Sequence, residues 1–278
     1  AKNGGAKSYE DARFWEAQTD KTGNGSFVIR FLTQKDGEDL PWAKVFTRGF
    51  KGPSGKWYVE NCLSTIGQDD PVGAYASKIW NLGGKENEDL ARVYKRKLTY
   101  ISNIMVISDP TNPANNGKVF LYKYGKKIHD KILSLMQPEF EDESPVNPFD
   151  FWTGADFKLK IRQVEGYRNY DKSEFVEPKA IASSDDEIEK IYASVYSLLE
   201  FTDPKNFKPY AELEAKMKAV LGDQAIAPET AEELATKVET AKPVGKVATA
   251  PEKEVAPAPA AGDEDSEDLE YFAKLAKS

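Results

Sequence analysis

Two clusters of cations, Lys95-Arg96-Lys97 and Lys123 with Lys126-Lys127, interrupt an otherwise acidic chain. Tyrosines interleave with both: Tyr94 and Tyr100 beside the first, Tyr122 and Tyr124 within the second. Lysine and arginine neutralise phosphates and release condensed counterions, so such contacts weaken with salt. Tyrosine rings stack on bases of any identity, because every base has a π-face. A duplex hides those faces, so the combination favours single-stranded nucleic acid. The bland alternative is a solvated strand face with tyrosines in the core. Strand phase bears on the choice. Tyr122 and Tyr124 lie two apart and share one face, while Val119 and Leu121 take the other, which is expected to be the core side.

Other cations extend the pattern. Tyr167-Arg168-Asn169-Tyr170 repeats the theme next to Lys158, Lys160 and Arg162, and Arg30 and Arg48 lie on earlier strand-like runs. Together they are expected to continue a groove. Catalytic constellations are not visible. With one cysteine, Cys62, and one histidine, His129, the chain has no intramolecular disulfide and no Cys/His zinc set. Gly125-Lys126-Lys127 lacks the glycine spacing of a phosphate loop. The carboxylate pairs Asp69-Asp70 and Asp185-Asp186 are of the kind a metal-dependent nuclease uses, but they sit where a turn and a helix start are read. No enzyme and no cofactor are expected.

The elements that must hold these residues read as short strands. Residues 26–32 are rich in β-branched and aromatic types. Residues 45–50 and 56–62 read as a hairpin about a Gly/Pro/Ser loop. Residues 95–108 carry the first cation cluster and 118–124 lead into the second, and the two flank a Pro/Asn/Gly loop at 109–117. Residues 157–164 alternate strictly, with Lys158, Lys160 and Arg162 on one face. Helices are expected at 74–82, at 126–135 with Ile128, Ile132 and Leu135 on one face, at 185–201 capped by Ser184, and at 210–221 between a cap at Asn206 and a stop at Gly222. Many strands with few helices point to a small β-barrel.

Charge is segregated. The formal net charge is −8, from 38 Lys+Arg against 46 Asp+Glu, yet the strand-rich part concentrates its cations while acids gather in loops, helices and tail. Residues 1–12 read as a flexible segment and 13–222 as the core, with a subdomain at 62–90. A low-complexity linker follows at 223–262. Residues 263–278 form an acidic tail in which Asp263, Glu264, Asp265, Glu267, Asp268 and Glu270 surround Leu269, Tyr271, Phe272 and Leu275. That mixture reads as a partner-docking peptide that also competes for the cationic groove. No apolar run approaches the roughly 20 residues of a membrane span.

The chain resembles the replicative single-stranded DNA-binding proteins of T4-like bacteriophages. The resemblance rests on Gly23-Asn24-Gly25 through Val28-Ile29-Arg30-Phe31-Leu32, Gly49-Phe50-Lys51, Gly55-Lys56-Trp57-Tyr58 and Lys95-Arg96-Lys97 with Tyr100. It continues through Asp109-Pro110, Gly117-Lys118-Val119-Phe120, Gly125-Lys126-Lys127-Ile128 and Asn169-Tyr170-Asp171. It covers roughly residues 10–220. It implies an OB-fold barrel core, a cleft lined by cations and aromatics, and no catalysis. It assigns DNA contact to Arg30, Lys95, Arg96, Lys97, Tyr100, Tyr122, Tyr124, Lys126, Lys127, Tyr167 and Tyr170; the groove reading adds Arg48 and Arg168. It also implies a role in replication, recombination and repair in the cytoplasm of the infected bacterial host. The acidic tail would recruit polymerase, primase, helicase loader and recombinase mediator, with self-association along the strand. Two departures stand out. The family's zinc subdomain has three Cys and one His, whereas only Cys62 remains here. A zinc-free subdomain packed around Ile66, Val72, Tyr75 and Trp80 is therefore expected. The family's basic N-terminal arm has no match in residues 1–13, which implies a trimmed chain or weak cooperativity. The rival of a different class is an acidic replication adaptor whose barrel binds protein.

Overall fold

The structure, a computed structural model, describes residues 11–140 and 142–222. In chain order the elements are β1 (Gly25–Phe31), β2 (Ala43–Lys51), β3 (Trp57–Asn61), α1 (Pro71–Asn81), α2 (Lys85–Val93), β4 (Lys97–Ser108) and β5 (Val119–Tyr124). Then come α3 (Lys126–Met136), β6 (Asp156–Val164), β7 (Tyr167–Asn169), β8 (Glu174–Phe175), α4 (Asp185–Ala193) and α5 (Tyr210–Leu221). They fall into two units. The larger holds residues 11–45 with Leu98–Asn206; the smaller holds Phe46–Lys97 with residues 207–222.

In the larger unit the alternation of β6 does what its pattern dictates. Phe157, Leu159 and Ile161 are buried, while Lys158 and Arg162 face out. β6 pairs antiparallel with β1 from Gly25↔Ile161 to Arg30↔Asp156, and β1 pairs with β4 across a register shift at Val28/Ile29. β4 in turn pairs with β5 from Tyr100↔Tyr124 to Met105↔Val119. β7 and β8 add to β6. The result is an antiparallel sheet, and among the described residues no pairing closes it into the expected barrel. The free edge of β5 is met by the chain's early residues: Leu121 donates to the Arg13 carbonyl at 2.8 Å, and Trp15 donates back to Leu121 at 2.9 Å.

Both faces of β4 and β5 are covered. Tyr100, Tyr122 and Tyr124 point into a core with Phe27, Phe31, Phe149, Phe157 and the Ile128 and Ile132 face of α3. On the opposite side, Ile101 and Leu121 pack with Ala43, Val45 and Leu198. The expected helix at 185–201 stops at Ala193 because tertiary groups capture the backbone beyond it. Asn103, fully buried, accepts from the Tyr196 N–H and donates to the Tyr196 carbonyl, both at 2.9 Å. Glu38 accepts from Ser197 Oγ at 2.6 Å and from the Leu198 N–H at 2.7 Å. Ser184 does cap α4, accepting from Glu187.

In the smaller unit β2 and β3 form the anticipated hairpin. Val72 and Tyr75 are buried with Phe50, Tyr58, Leu63, Ile79 and Tyr94, and Ile66 and Trp80 pack against that core. α5 has the bounds its periodicity indicates and supplies Leu213, Met217, Val220 and Leu221. Its first turn follows Pro209 without a side-chain cap, so Asn206 does not cap it. Asn206 instead donates to the Glu200 carbonyl at 2.6 Å. α2 was not legible as a helix, since Ala91 is its single buried residue.

Two polar clusters fix the larger unit. Arg30 has no exposed surface. It donates to Asp156 Oδ1 at 3.3 Å and to the carbonyls of Asp150 and Lys179 at 2.9 Å each. Asp109, 2 % exposed, accepts from Trp15 Nε1, Thr111, Asn112 and Asn115. Burial alone would raise its pKa, but these bonds outweigh that and hold it down at about 2.

Removing the Arg30 cation leaves Asp156 buried with the solvent-exposed Lys179 as its counterion among the described residues. Arg30→Met should therefore cost about 3 kcal/mol, the lower end for a broken buried pair, read as a lowered urea midpoint of the full chain. For Asp109 the depressed pKa means stability is present above the unfolded value, about 4, and lost as pH falls toward 2. Asp109→Asn should cost about 1–3 kcal/mol at pH 7 and flatten the loss between pH 4 and 2, checked by urea unfolding across pH.

Candidate nucleic-acid interface

Burial sorts the anticipated contact residues. In the larger unit, Arg30 belongs to the core. Tyr122 and Tyr124 are 6 % and 1 % exposed, Tyr100 7 % and Tyr170 8 %, all within the same aromatic cluster. These four were expected on an open face; the structure places them in the core instead. The cause is that α3 and the segment around Trp15 cover the tyrosine face of β5, so strand phase alone could not tell solvent from a second packed layer. Desolvation pushes the Tyr122 and Tyr124 hydroxyls well above the ordinary tyrosine range. The Tyr124 hydroxyl meets Ser102 Oγ at 2.9 Å.

The tyrosines form a stack that ends on a residue the sequence did not single out for this role. Tyr122 stacks on Tyr124 at 5.8 Å, Tyr124 on its cross-strand partner Tyr100 at 5.7 Å, and Tyr100 on His129 at 3.7 Å. Burial drops the His129 pKa to about 4, so the ring is neutral at pH 7. His129 lies in the second turn of α3, which begins Lys126-Lys127. Lys126 is exposed and pairs with Asp130 at 2.6 Å, and Lys127 is half-buried. Gly125 offers α3 no side-chain cap, so its first-turn N–H groups and the positive end of the helix dipole lie beside two lysines. Lys123 is spent locally, its ammonium 4.1 Å from the Phe14 ring centroid.

At β6 and β7 the surface stays open. Tyr167 is 52 % exposed, the one tyrosine of the anticipated set with an accessible ring. Arg168 is half-buried and donates to the Ala17 carbonyl at 3.3 Å. Lys158 is exposed, Lys160 pairs with Glu174 at 2.7 Å, and Arg162 chelates Asp171 through two nitrogens. Exposed pairs of this kind hold little net energy, so a phosphate can exchange for the carboxylate.

In the smaller unit Arg48 is buried and bonded to Asp70 at 2.8 Å, which removes it from any open face. Lys97 is 5 % exposed. Lys95 is half-buried and Arg96 exposed, with its guanidinium 4.2 Å over the Phe46 ring. The β2–β3 hairpin brings Lys51 to 6.0 Å from the Trp57 ring, with Lys56 exposed beside it. That cation–aromatic set was read as a hairpin and as part of the family resemblance but was assigned no DNA contact, although Lys51-Gly52-Pro53-Ser54-Gly55-Lys56-Trp57 carries the same interleaving as the main clusters.

The residues present do not fit the zinc site that the resemblance implies. Cys62 is 1 % exposed, its Sγ lies 2.9 Å from Ser64 Oγ, and burial raises its pKa. Among the described residues no three His, Cys, Asp or Glu side chains gather into a metal-binding set. The acidic-tail residues Asp263, Glu264, Asp265, Glu267, Asp268 and Glu270 lie outside the described residues. No described helix is long and apolar enough to cross a membrane.

Comparison with known proteins shows the family to which the chain belongs. The family model described as gp32 DNA binding protein like matches residues 23–221. The single-stranded DNA-binding protein of Enterobacteria phage T2 is 43 % identical over 245 residues, 86 % of this chain and 80 % of the relative. That of Enterobacteria phage T4 is 42 % identical over 231 residues, 80 % of this chain and 75 % of the relative. A shorter relative bearing the same description, from Enterobacteria phage RB70, is 45 % identical over 102 residues, 36 % of this chain and 85 % of its own length. The matched span takes in both units, the tyrosine stack and every cation cluster described above, and the chain belongs to the gp32-like family of DNA-binding proteins.

Proposed function

We propose that this protein binds single-stranded DNA with little sequence preference and without catalysis. It coats and protects strands exposed in replication, recombination and repair. The observation that supports this best is family membership across 23–221 combined with exposed or half-buried cations within that span. Lys95 and Arg96 in the smaller unit, and Lys126, Lys127 and Arg168 in the larger, take phosphates. Tyr167 offers a stacking surface to bases. Tyr100, Tyr122 and Tyr124 act from below, as a rigid floor. An OB-type core, tail-mediated recruitment of replication and recombination proteins by residues 263–270, and action in the host cytoplasm during infection belong to the same proposal. So does a smaller unit that folds without zinc, held by the packing around Val72 and Tyr75.

Titration of oligo-dT, followed by intrinsic fluorescence across a salt series, tests the central reading. Affinity should fall steeply with salt. Each lost phosphate contact should flatten the log–log slope by about 0.7, so Lys126→Ala with Lys127→Ala, or Lys95→Ala with Arg96→Ala, should lower it by about 1.4 per pair. Salt-insensitive binding, or unchanged slopes in both double variants, contradicts the assignment. Recovery of intact oligonucleotide after incubation with Mg²⁺ is expected; cleavage would favour a nuclease instead. Elemental analysis of purified protein should find well under one zinc per chain, and a chelator should leave the melting temperature unchanged. Stoichiometric zinc would overturn the metal-free reading.

A further inference from the structure

We propose that Arg48 and Asp70 form a clasp that positions Lys95 and Arg96 for phosphate binding, with neither clasp residue touching DNA. The inference rests on the single-stranded DNA reading and adds residues to its machinery.

The geometry is specific. Asp70 is the N-cap of α1 and accepts from the Gly73 N–H at 2.9 Å. Its second oxygen accepts from the Leu63 N–H at 3.3 Å, tying in the turn after Cys62. Arg48, on β2, donates its Nε to Asp70 Oδ1 at 2.8 Å. Arg48 also donates Nη1 to the carbonyl of Tyr94, the C-cap residue of α2 and the residue immediately before Lys95. Both side chains are buried, with Arg48 6 % and Asp70 7 % exposed. Gly73 leaves the room this needs, since a Cβ there would sit 2.9 Å from Arg48 Nη2.

Each charge therefore sits at the helix end that its sign stabilises. The carboxylate lies at the positive N-terminus of α1, and the guanidinium lies on an orphan carbonyl at the negative C-terminus of α2. Neither helix end can shift without unpairing a buried charge, the costly case. The Tyr94 ring is held as well, 4.8 Å edge-on from Phe50 and 5.3 Å from Tyr75. The chain thus leaves α2 from a fixed carbonyl and a fixed ring. The next two residues, Lys95 and Arg96, inherit that position, and Arg96 is braced on Phe46. Arg48 was expected to meet a phosphate directly. The clasp gives it a different task in the same binding event.

The two assignments for Arg48 predict opposite results for Asp70→Asn. Loss of the carboxylate would free a contact-making Arg48 and tighten DNA binding. If Arg48 positions, Asp70→Asn and Arg48→Gln should each weaken oligo-dT binding by about tenfold and lower the salt slope by about 1, although neither residue is exposed. In a chain already carrying Lys95→Ala and Arg96→Ala, either clasp substitution should add less than about twofold, as coupled residues do. Tighter binding by Asp70→Asn, or full additivity in the combined variants, overturns the inference. Should those variants lose cooperative unfolding, Arg48→Lys is read in their place. It keeps the charge but replaces the planar fork that bonds Asp70 and the Tyr94 carbonyl with the point charge of an ammonium. It should weaken binding and lower the slope, and wild-type affinity there overturns the inference. Wild-type protein that fails to bind oligo-dT would instead remove the DNA reading itself.

Discussion

A guanidinium taken out of water must recover its hydrogen bonds inside the protein, and two such groups organise this one. Arg30 does so in the larger unit through its two terminal nitrogens, though not its buried Nε, joining β1 to Asp156 on β6 and to the carbonyls of Asp150 and Lys179. Arg48 does so in the smaller, joining β2 to both helix ends through Asp70 and Tyr94. Desolvation works against the charge on Arg30, and the Asp156 carboxylate offsets it only in part. The same demand separates the chain's cations into two populations. Those with internal partners build the frame. Those on the surface, such as Arg96 over the Phe46 ring and Lys126 beside Asp130, make exposed contacts that a phosphate can replace.

The aromatic residues divide by the same physics. Tyr122, Tyr124, Tyr100 and His129 stack in a buried series that fills the space between β4, β5 and α3. Their apolar area stabilises the fold, and their rings stiffen the strands that lead into Lys126-Lys127. A neutral His129 suits this place because a charged imidazole would need a buried partner. Tyr167, on the short β7, keeps its ring in solvent and remains available for stacking. In the proposed function, binding groups therefore lie at element ends and edges, where rigid frames present exposed side chains.

Much of this was legible in the chain's own pattern. Strict alternation identified β6, the period of Ile128 and Ile132 identified α3, and α5 came out with its bounds intact. Local signals failed where distant groups decide. Asn103 and Glu38 end α4 from elsewhere in the fold, and nothing between Asp185 and Phe201 announces them. α2 hides because an exposed helix with one buried alanine has almost no apolar period. For the candidate site, residue types singled out stretches that do carry exposed cations, but type and strand phase could not separate a solvent face from a second covered face. Tyr122 and Tyr124 satisfied the phase expected of an exposed stripe and were packed beneath α3 instead. Arg30 and Arg48 looked like surface cations because their partners, Asp156 and Asp70, are remote in sequence and recognisable only in three dimensions.

The central claim is that exposed cations hold the strand while buried ones hold the frame. Lysine acetylation measured by mass spectrometry, with and without saturating oligo-dT, tests it most directly. The account predicts protection of Lys95, Lys126 and Lys127 on binding. Lys35, Lys78 and Lys205, which lie away from the cation clusters in sequence, should keep their reactivity. Equal reactivity of Lys95, Lys126 and Lys127 in free and bound protein would contradict it.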